Sequence, residues 1–295
     1  MKSETTYRVG DAEITRICDW NLSHFKTSQM IPEWNDETRS CLQHPLAGTT
    51  DASGEHVLLS IHSWLVKEHG RTILIDTGAG NDKVRPYAQY FDHLQTPYLK
   101  HLQAAGVALE EVDHVLLTHL HVDHVGWNTR LENGEWIPTF PNARYIFSRR
   151  EHEFFTNPAN HTERNRTSFA VQEDSISPII DAGQAEMMEA GENEVADGFT
   201  FHATPGHSVA HSSIVFRSAG EVALFTGDLM HHPVQVQRPH WNSVFDAFPE
   251  AARSSRMWAI EFAADNKALI FSSHFSASSS GRIERIGAEF VWTFL

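Results

Sequence analysis

The chain has 295 residues, 41% hydrophobic and 21% charged, which is ordinary for a globular protein and ample for a sizeable core. Its 38 acidic against 23 basic residues leave a net charge of −15, a field that repels phosphate backbones and anionic membranes and argues against nucleic acid as a partner. With a polar start, no unbroken run of about 18 apolar residues, and two widely separated cysteines, Cys18 and Cys41, the pattern argues against a signal peptide, a membrane span and a disulfide framework, and a soluble cytoplasmic protein is expected.

Strand and helix patterns alternate along the chain without a repeat or a linker, so one domain spanning residues 1–295 is expected. "HVLLSIHSWLVKEHGRTILIDTG" gives two apolar runs around the turn signal Glu68-His69-Gly70, a β-hairpin whose second strand ends at Asp76-Thr77-Gly78. "TPYLKHLQAAG" predicts a helix with Thr96 as N-cap, Pro97 in the first turn and Gly106 as the stop. "VDHVLLTH" is a short buried strand and "ARYIFSR" another, with a helix beginning at "REHEFF". "FTFHATPGH", "SSIVFRS" and "VALFTGD" read as three successive strands, and "PEAARSSRMWAIEFAADN" as a helix with Ala252, Met257, Ile260 and Ala264 toward the core. "KALIFSSH" is a last strand, followed by a small-residue loop over 276–280. Residues 22–56 and 156–192 are polar and irregular, and read as insertions that wall or cover a pocket.

The chemistry concentrates in "VLLTHLHVDHVGWN", where His119, His121, Asp123 and His124 fall within six positions directly after an apolar strand. In an extended segment the i, i+2 pair His119 and His121 points to one side, and a turn carries Asp123 and His124 toward a second point. Imidazole nitrogen and carboxylate oxygen both suit zinc. One loop thus begins two adjacent metal sites, each needing donors from elsewhere. Three other apolar runs end in such donors, at His207, Asp228 and His274, and strand ends at one edge of a sheet can gather distant residues. Most of the 20 histidines have no such setting and read as surface or core residues.

The pattern His119-x-His121-x-Asp123-His124 with Gly126 resembles the signature of the metallo-β-lactamase fold superfamily. "DTG" at 76–78, "TPGH" at 204–207, "TGD" at 226–228 and "SSH" at 272–274 follow in that family's order. The resemblance implies an α/β fold, a four-layer αββα sandwich of two mixed sheets flanked by helices. It implies two divalent ions, zinc by expectation. His119, His121 and His207 would hold the first, and Asp123, His124 and His274 the second. Asp228 would bridge them and Asp76 would support the ligands without binding metal. His211, His231, His232 and His240 lie near these motifs as rivals, with His231 and His232 expected to line the substrate pocket.

Within the superfamily, Asp228 stands where the β-lactamases proper carry cysteine or serine, and His121 where the oxygen-reducing di-iron members carry an acid. The acidic charge speaks against the nucleic-acid-processing members. The chain looks most like the lactonase-type members, which implies a dinuclear hydrolase that opens a lactone or cleaves a small ester by metal-bound hydroxide, with Asp123 and Asp228 as its catalytic carboxylates. A glyoxalase II-type thioesterase, an aryl-ester or phosphotriester hydrolase and a mononuclear iron sulfur dioxygenase are the alternatives. The acyl-homoserine lactonases place a tyrosine shortly after the bridging aspartate, and here Leu229, Met230, His231 and His232 follow instead. Trp127, Trp241 and Phe245 are candidates for an apolar pocket wall. The partner is a small molecule, and the oligomeric state is open, a homodimer included.

Overall fold

The computed structural model describes residues 5–35, 48–189, 191 and 193–295. Within them the chain forms two compact units, Met1–Trp20 with Ile61–Ala190 and Asn21–Ser60 with Gly191–Leu295, and each carries most of one seven-stranded mixed sheet and its helices. The expectation of two mixed sheets with helices is met. Cys41 and His44 lie outside the described residues, as do residues 36–47 of the first expected insertion.

The first sheet takes β1 (Thr6–Val9), β2 (Ala12–Leu22), β3 (Leu59–Glu68), β4 (Arg71–Ile75), β5 (His114–Leu116), β8 (Arg144–Ser148) and β9 (Ala185–Met188) in that spatial order. β3 and β4 form the expected hairpin, and His69 and Gly70 both adopt left-handed backbone between them (φ 49° and 81°). From β4 onward the strands run parallel, which is why "TILI", "VL" and "YIF" are near-continuous apolar runs covered on both faces. The parallel pair β4 and β5 ends in register at Ile75 and Leu116, so Asp76 and Thr118-His119 leave the sheet side by side. A separate hairpin, β6 (Thr129–Glu132) with β7 (Glu135–Pro138), follows the histidine loop.

The second sheet orders β10 (Asn193–Ala196), β11 (Phe199–Ala203), β12 (Ser212–Ser218), β13 (Glu221–Phe225), β14 (Leu269–Phe271), β15 (Ser280–Ile286) and β16 (Glu289–Phe294). Only β13 and β14 are parallel; they end in register at Phe225 and Phe271, three residues before Asp228 and His274. The helix Pro249–Asn266 crosses between them. It begins with proline in its first turn and stops at left-handed Lys267, and it buries Ala252, Ser255, Ala259, Ile260 and Ala263 on one stripe. Of the four core positions expected there, Ala252 and Ile260 are buried, whereas Met257 and Ala264 are partly so.

Three local expectations differ from the structure. The helix Tyr98–Ala104 has no side-chain cap, because Thr96 Oγ1 is turned to Asp19 and Asn81. Residues 156–192, read as irregular, contain helical turns at Arg166–Val171, Gln172–Ile176 (a π-turn) and Ser177–Asp181. The small-residue loop ends at Ser279, and the residues after it form the β15–β16 hairpin.

The π-turn carries Asp174, which accepts a forked pair of bonds from Arg85 at 2.6 and 2.7 Å. Lys83 lies beside it, fully buried, donating to Asp174 O at 2.9 Å and Thr129 Oγ1 at 2.5 Å, with its ammonium 3.6 Å from the Trp136 ring. Burial pushes the Lys83 ammonium down to about 7, against the attraction of Asp174. Asp174→Asn removes the carboxylate from two buried cations and should cost about 3–5 kcal/mol in denaturant unfolding, the range for breaking a buried pair. The unfolded chain holds the Lys83 proton up to the ordinary 10.5 while the folded chain releases it near 7. Stability should therefore rise with pH across that window, and Lys83→Met should flatten the rise.

Candidate functional site

The histidine loop of the first unit is set by backbone contacts before any side chain acts. Thr77 N–H donates to His124 O (2.6 Å), Trp127 N–H to Thr77 O (2.9 Å) and Gly126 N–H to Gly78 O (2.8 Å). The chains cross so closely that a Cβ on Gly126 would sit 1.9 Å from the Ala79 carbonyl. Asp19 ties the same crossing from β2: its carboxylate accepts from Ala79 N–H (2.7 Å), Trp127 Nε1 (3.2 Å) and the Thr96 hydroxyl. Burial pushes the Asp19 carboxyl up from its ordinary range. Trp127 is therefore committed to the core, stacked on Tyr98 at 5.4 Å, and is not a pocket wall.

Asp76 orients two imidazoles, those of His119 and His124. It sits at the exit of β4 in left-handed backbone (φ 54°), which aspartate tolerates better than most residues. Its carboxylate accepts from Thr118 N–H (2.8 Å), from Thr118 Oγ1 (2.9 Å) and from His124 Nδ1 (2.8 Å). Since the Thr118 hydroxyl donates to Asp76, it accepts from His119 Nδ1 at 3.0 Å. One carboxylate thus fixes two imidazoles, one directly and one through a hydroxyl. The rings of His119 and His124 lie 4.1 Å apart and those of His119 and His121 4.5 Å. Asp123, half-buried, has its carboxylate 3.8 Å from His124 Nε2. The first unit brings its four expected donors together.

The second unit gathers its donors around Asp228. His207 Nε2 lies 3.2 Å from Asp228 Oδ2 and His274 Nε2 3.0 Å from Oδ1. His274 Nδ1 donates to Ser60 O at 3.1 Å, and His207 Nδ1 faces Asp246 at 3.8 Å. Asp246 is itself held by Arg256, whose Nη2 donates at 2.8 Å while its other nitrogens bond the carbonyls of Leu229, Pro239 and Trp241. Burial raises the Asp246 carboxyl, but His207 and Arg256 together outweigh it and keep it below its ordinary range. His211 binds through both nitrogens to protein, Nδ1 on Thr204 and Nε2 accepting Asp228 N–H at 2.9 Å, so it anchors the carboxylate's backbone. His232 packs on Trp34 at 4.5 Å, and burial pushes its imidazole down to about 3.

His231 stands apart from its neighbour. Its Nε2 is 3.3 Å from Asp228 Oδ2, its ring stacks on His274 at 5.3 Å, and burial holds the imidazole below its usual range. Half-buried Phe245 lies 5.3 Å from it and meets Phe25 edge-on at 5.5 Å. Asp19, Thr118, Asp246 and Arg256 escaped the sequence reading. Only Thr118, adjoining the histidine motif, had any signal to offer.

The donors fit divalent metal by type and by orientation. In four histidines, 119, 124, 207 and 274, Nδ1 is turned to a protein oxygen, the arrangement that presents Nε2 to an ion. Imidazole and carboxylate together suit zinc.

Comparison with known proteins agrees. The model of the metallo-β-lactamase superfamily matches residues 57–274. An N-acyl homoserine lactonase from a Bacillus species is 25% identical over 249 residues, 80% of this chain and 89% of its own length. Among solved structures, the hydrolase AbOPH of the β-lactamase superfamily is 26% identical with a TM-score of 0.81, covering 100% of this chain and 98% of that one. AidC, a dizinc quorum-quenching lactonase, superposes with a TM-score of 0.80 at 23% identity over 99% and 97% of the two chains.

Two substitutions test this arrangement. Asp76→Asn should weaken metal binding by about 10–100-fold in chelator competition, as loss of a partner that orients ligands does. Gly126→Ala should destabilise the protein by about 1–3 kcal/mol or more in thermal or denaturant unfolding, because backbone must move to admit the methyl.

Proposed function

Because the chain belongs to the metallo-β-lactamase superfamily and is a metal-dependent hydrolase, we propose that it opens a lactone, or cleaves a comparable small ester, at a pair of divalent ions, zinc by donor type. His119, His121 and His207 would hold one ion, Asp123, His124 and His274 the other, and Asp228 both. The observation that carries this reading is the common orientation of four of these five histidines, 119, 124, 207 and 274, whose Nδ1 atoms are turned to oxygens in both units. The lactonase relative supports the choice of substrate class.

The ions, when bound, supply a Lewis acid for a carbonyl oxygen and lower the pKa of water toward neutrality. The chain's own residues do the rest. Asp228 keeps its carboxylate in place through His211 on its backbone. Asp123 is half-buried and within reach of His124, and its carboxylate takes a proton from the attacking water and returns it to the leaving alkoxide. Phe25 and Phe245, aromatic and partly exposed, offer an apolar contact for the substrate's hydrocarbon part. Against the thioesterase alternative, Arg282 is spent on Lys267 O and Arg285 is paired with Asp265, so neither is set aside for a substrate carboxylate.

Purified protein assayed against lactones, aryl esters, thioesters and phosphotriesters tests the substrate class. Lactone or ester turnover that disappears on chelation and returns with Zn²⁺, Mn²⁺ or Co²⁺ is the expected result. Turnover confined to thioesters or phosphotriesters would overturn it. Asp228→Asn should lower kcat/KM by more than about 100-fold, beyond the effect of a residue that only orients a ligand. Hydrolysis in oxygen-18 water should place the label in the product carboxylate, and label in the alcohol would exclude carbonyl attack.

A further inference from the structure

Four of the five candidate ligand histidines are aimed through Nδ1, and the fifth, His121, is met by the helix Arg149–Thr156. β5 and β8 run parallel and in register at Leu116 and Ile146, and Leu117 N–H continues the pairing to Ile146 O at 2.9 Å. The segments that follow, the histidine loop and the start of the helix, therefore lie side by side. Ser148 caps that helix, its hydroxyl accepting from Glu151 N–H at 3.4 Å. Ser148 and Glu151 thus stand at the spacing of a capping box, in which the glutamate ordinarily reaches back to the cap N–H. Glu151 Oε2 reaches across to the loop and accepts from Leu120 N–H at 3.4 Å. Phe155, one helical turn on and on the same face, sets its ring 5.8 Å from that of His121, which also meets His119 at 4.5 Å.

Glu151 and Leu120 are both fully buried. Glutamate is almost never fully buried without partners, because removing its charge from water is costly. An apolar residue would fill an interior helix position at no such cost, so the carboxylate at 151 calls for a reason, and the group it reaches supplies one. Leu120 N–H belongs to the residue between two candidate ligands. An acceptor fixed on that N–H sets the path of the chain through His119 and His121 together, and so the separation and tilt of the two rings. Glu151 itself is too deeply buried to touch a substrate.

We propose that Glu151 is a positioning residue for the histidine loop: by accepting Leu120 N–H it holds His119 and His121 at the spacing that one ion needs, with Phe155 backing the His121 ring. The inference rests on the preceding reading in taking those two histidines as ligands, and it is independent of the substrate. All of its residues lie in the first unit.

The test compares full-length variants and reads metal directly. Glu151→Ala removes the acceptor and should weaken Zn²⁺ binding at least about tenfold in chelator competition, the effect of losing a partner that orients ligands. It should also shift the visible bands of the Co²⁺-loaded protein. Glu151→Gln keeps an oxygen at the same reach and should recover most of the affinity and the wild-type bands. Thermal unfolding of the metal-free proteins separates the roles. A carboxylate that only packs the helix would lower stability in Glu151→Ala and leave affinity and spectrum untouched, which overturns the proposal. A Gln variant as weak as the Ala variant overturns it as well, because the charge and not the placed acceptor would then matter. If Glu151→Ala does not fold, Glu151→Asp, whose shorter arm withdraws the oxygen from Leu120, takes its place under the same two criteria. Wild-type protein that binds no metal overturns the preceding reading and this one with it; metal binding indifferent to residue 151 overturns this one alone.

Discussion

The arrangement everything else serves is the orientation of imidazole by oxygen. A histidine side chain has two rotatable bonds and two chemically different nitrogens, and a site that needs Nε2 must decide what Nδ1 does. Here the answer differs at each position: a carboxylate for His124, a hydroxyl relay for His119, a backbone carbonyl for His274, and a carboxylate at ion-pair distance for His207. The supporting oxygens come from unrelated parts of the chain, Asp76, Thr118, Ser60 and Asp246, and each is itself fixed. Thr118 is held by Asp76, Asp246 by Arg256, and Ser60 by its backbone bond to His274 O at 3.1 Å. Three buried charges, Asp76, Asp246 and Arg256, belong to these supports.

The fold delivers those residues through strand ends. β4 and β5 are parallel and finish level, as are β13 and β14, so in each unit two segments carrying candidate site residues leave a sheet side by side. Parallel strands require crossovers, and the segment between β13 and β14 spends its crossover on the Pro249–Asn266 helix, which supplies Arg256 to brace the loop containing Leu229, Trp241 and Asp246. The helix is thus more than packing. Its one buried cation ties down the loop that follows the Asp228 carboxylate.

Much of this was legible beforehand, for reasons that can be stated. The Glu68–Arg71 turn, the 249–266 helix and the strands leading to His119, Asp228 and His274 announce themselves by local pattern, since apolar period, turn residues and proline placement are properties of short windows. The candidate donor residues stand out in the sequence because metal binding needs particular side chains at close spacing. The supports were not. Asp19, Asp246 and Arg256 act across 60, 39 and 27 residues respectively, on Ala79, His207 and Leu229. Nothing in their neighbours' sequence distinguishes them from surface charges. Thr96 misled for the converse reason: it has the type and place of a helix cap, but the buried Asp19 carboxylate is a stronger acceptor of its hydroxyl proton than the helix is a user of its oxygen.

The six residues after Asp228 show how far local pattern can and cannot reach. Two histidines in succession, His231 and His232, are equivalent as sequence, and either could have faced the carboxylate. A 3₁₀ turn over Gly227–Leu229 followed by extended backbone at Met230 settles which one does, because successive residues in extended chain point opposite ways. His231 is delivered to Asp228, while His232 turns away onto Trp34, with its Nδ1 accepting from Val234 N–H at 3.1 Å. Gln235 then fastens both backbones, accepting from His231 N–H and more distantly from His232 N–H. A single residue's shift in that turn would exchange the two imidazoles, so the chemistry of this edge depends on the Gly227 backbone, held at φ 53°, as directly as on any ligand.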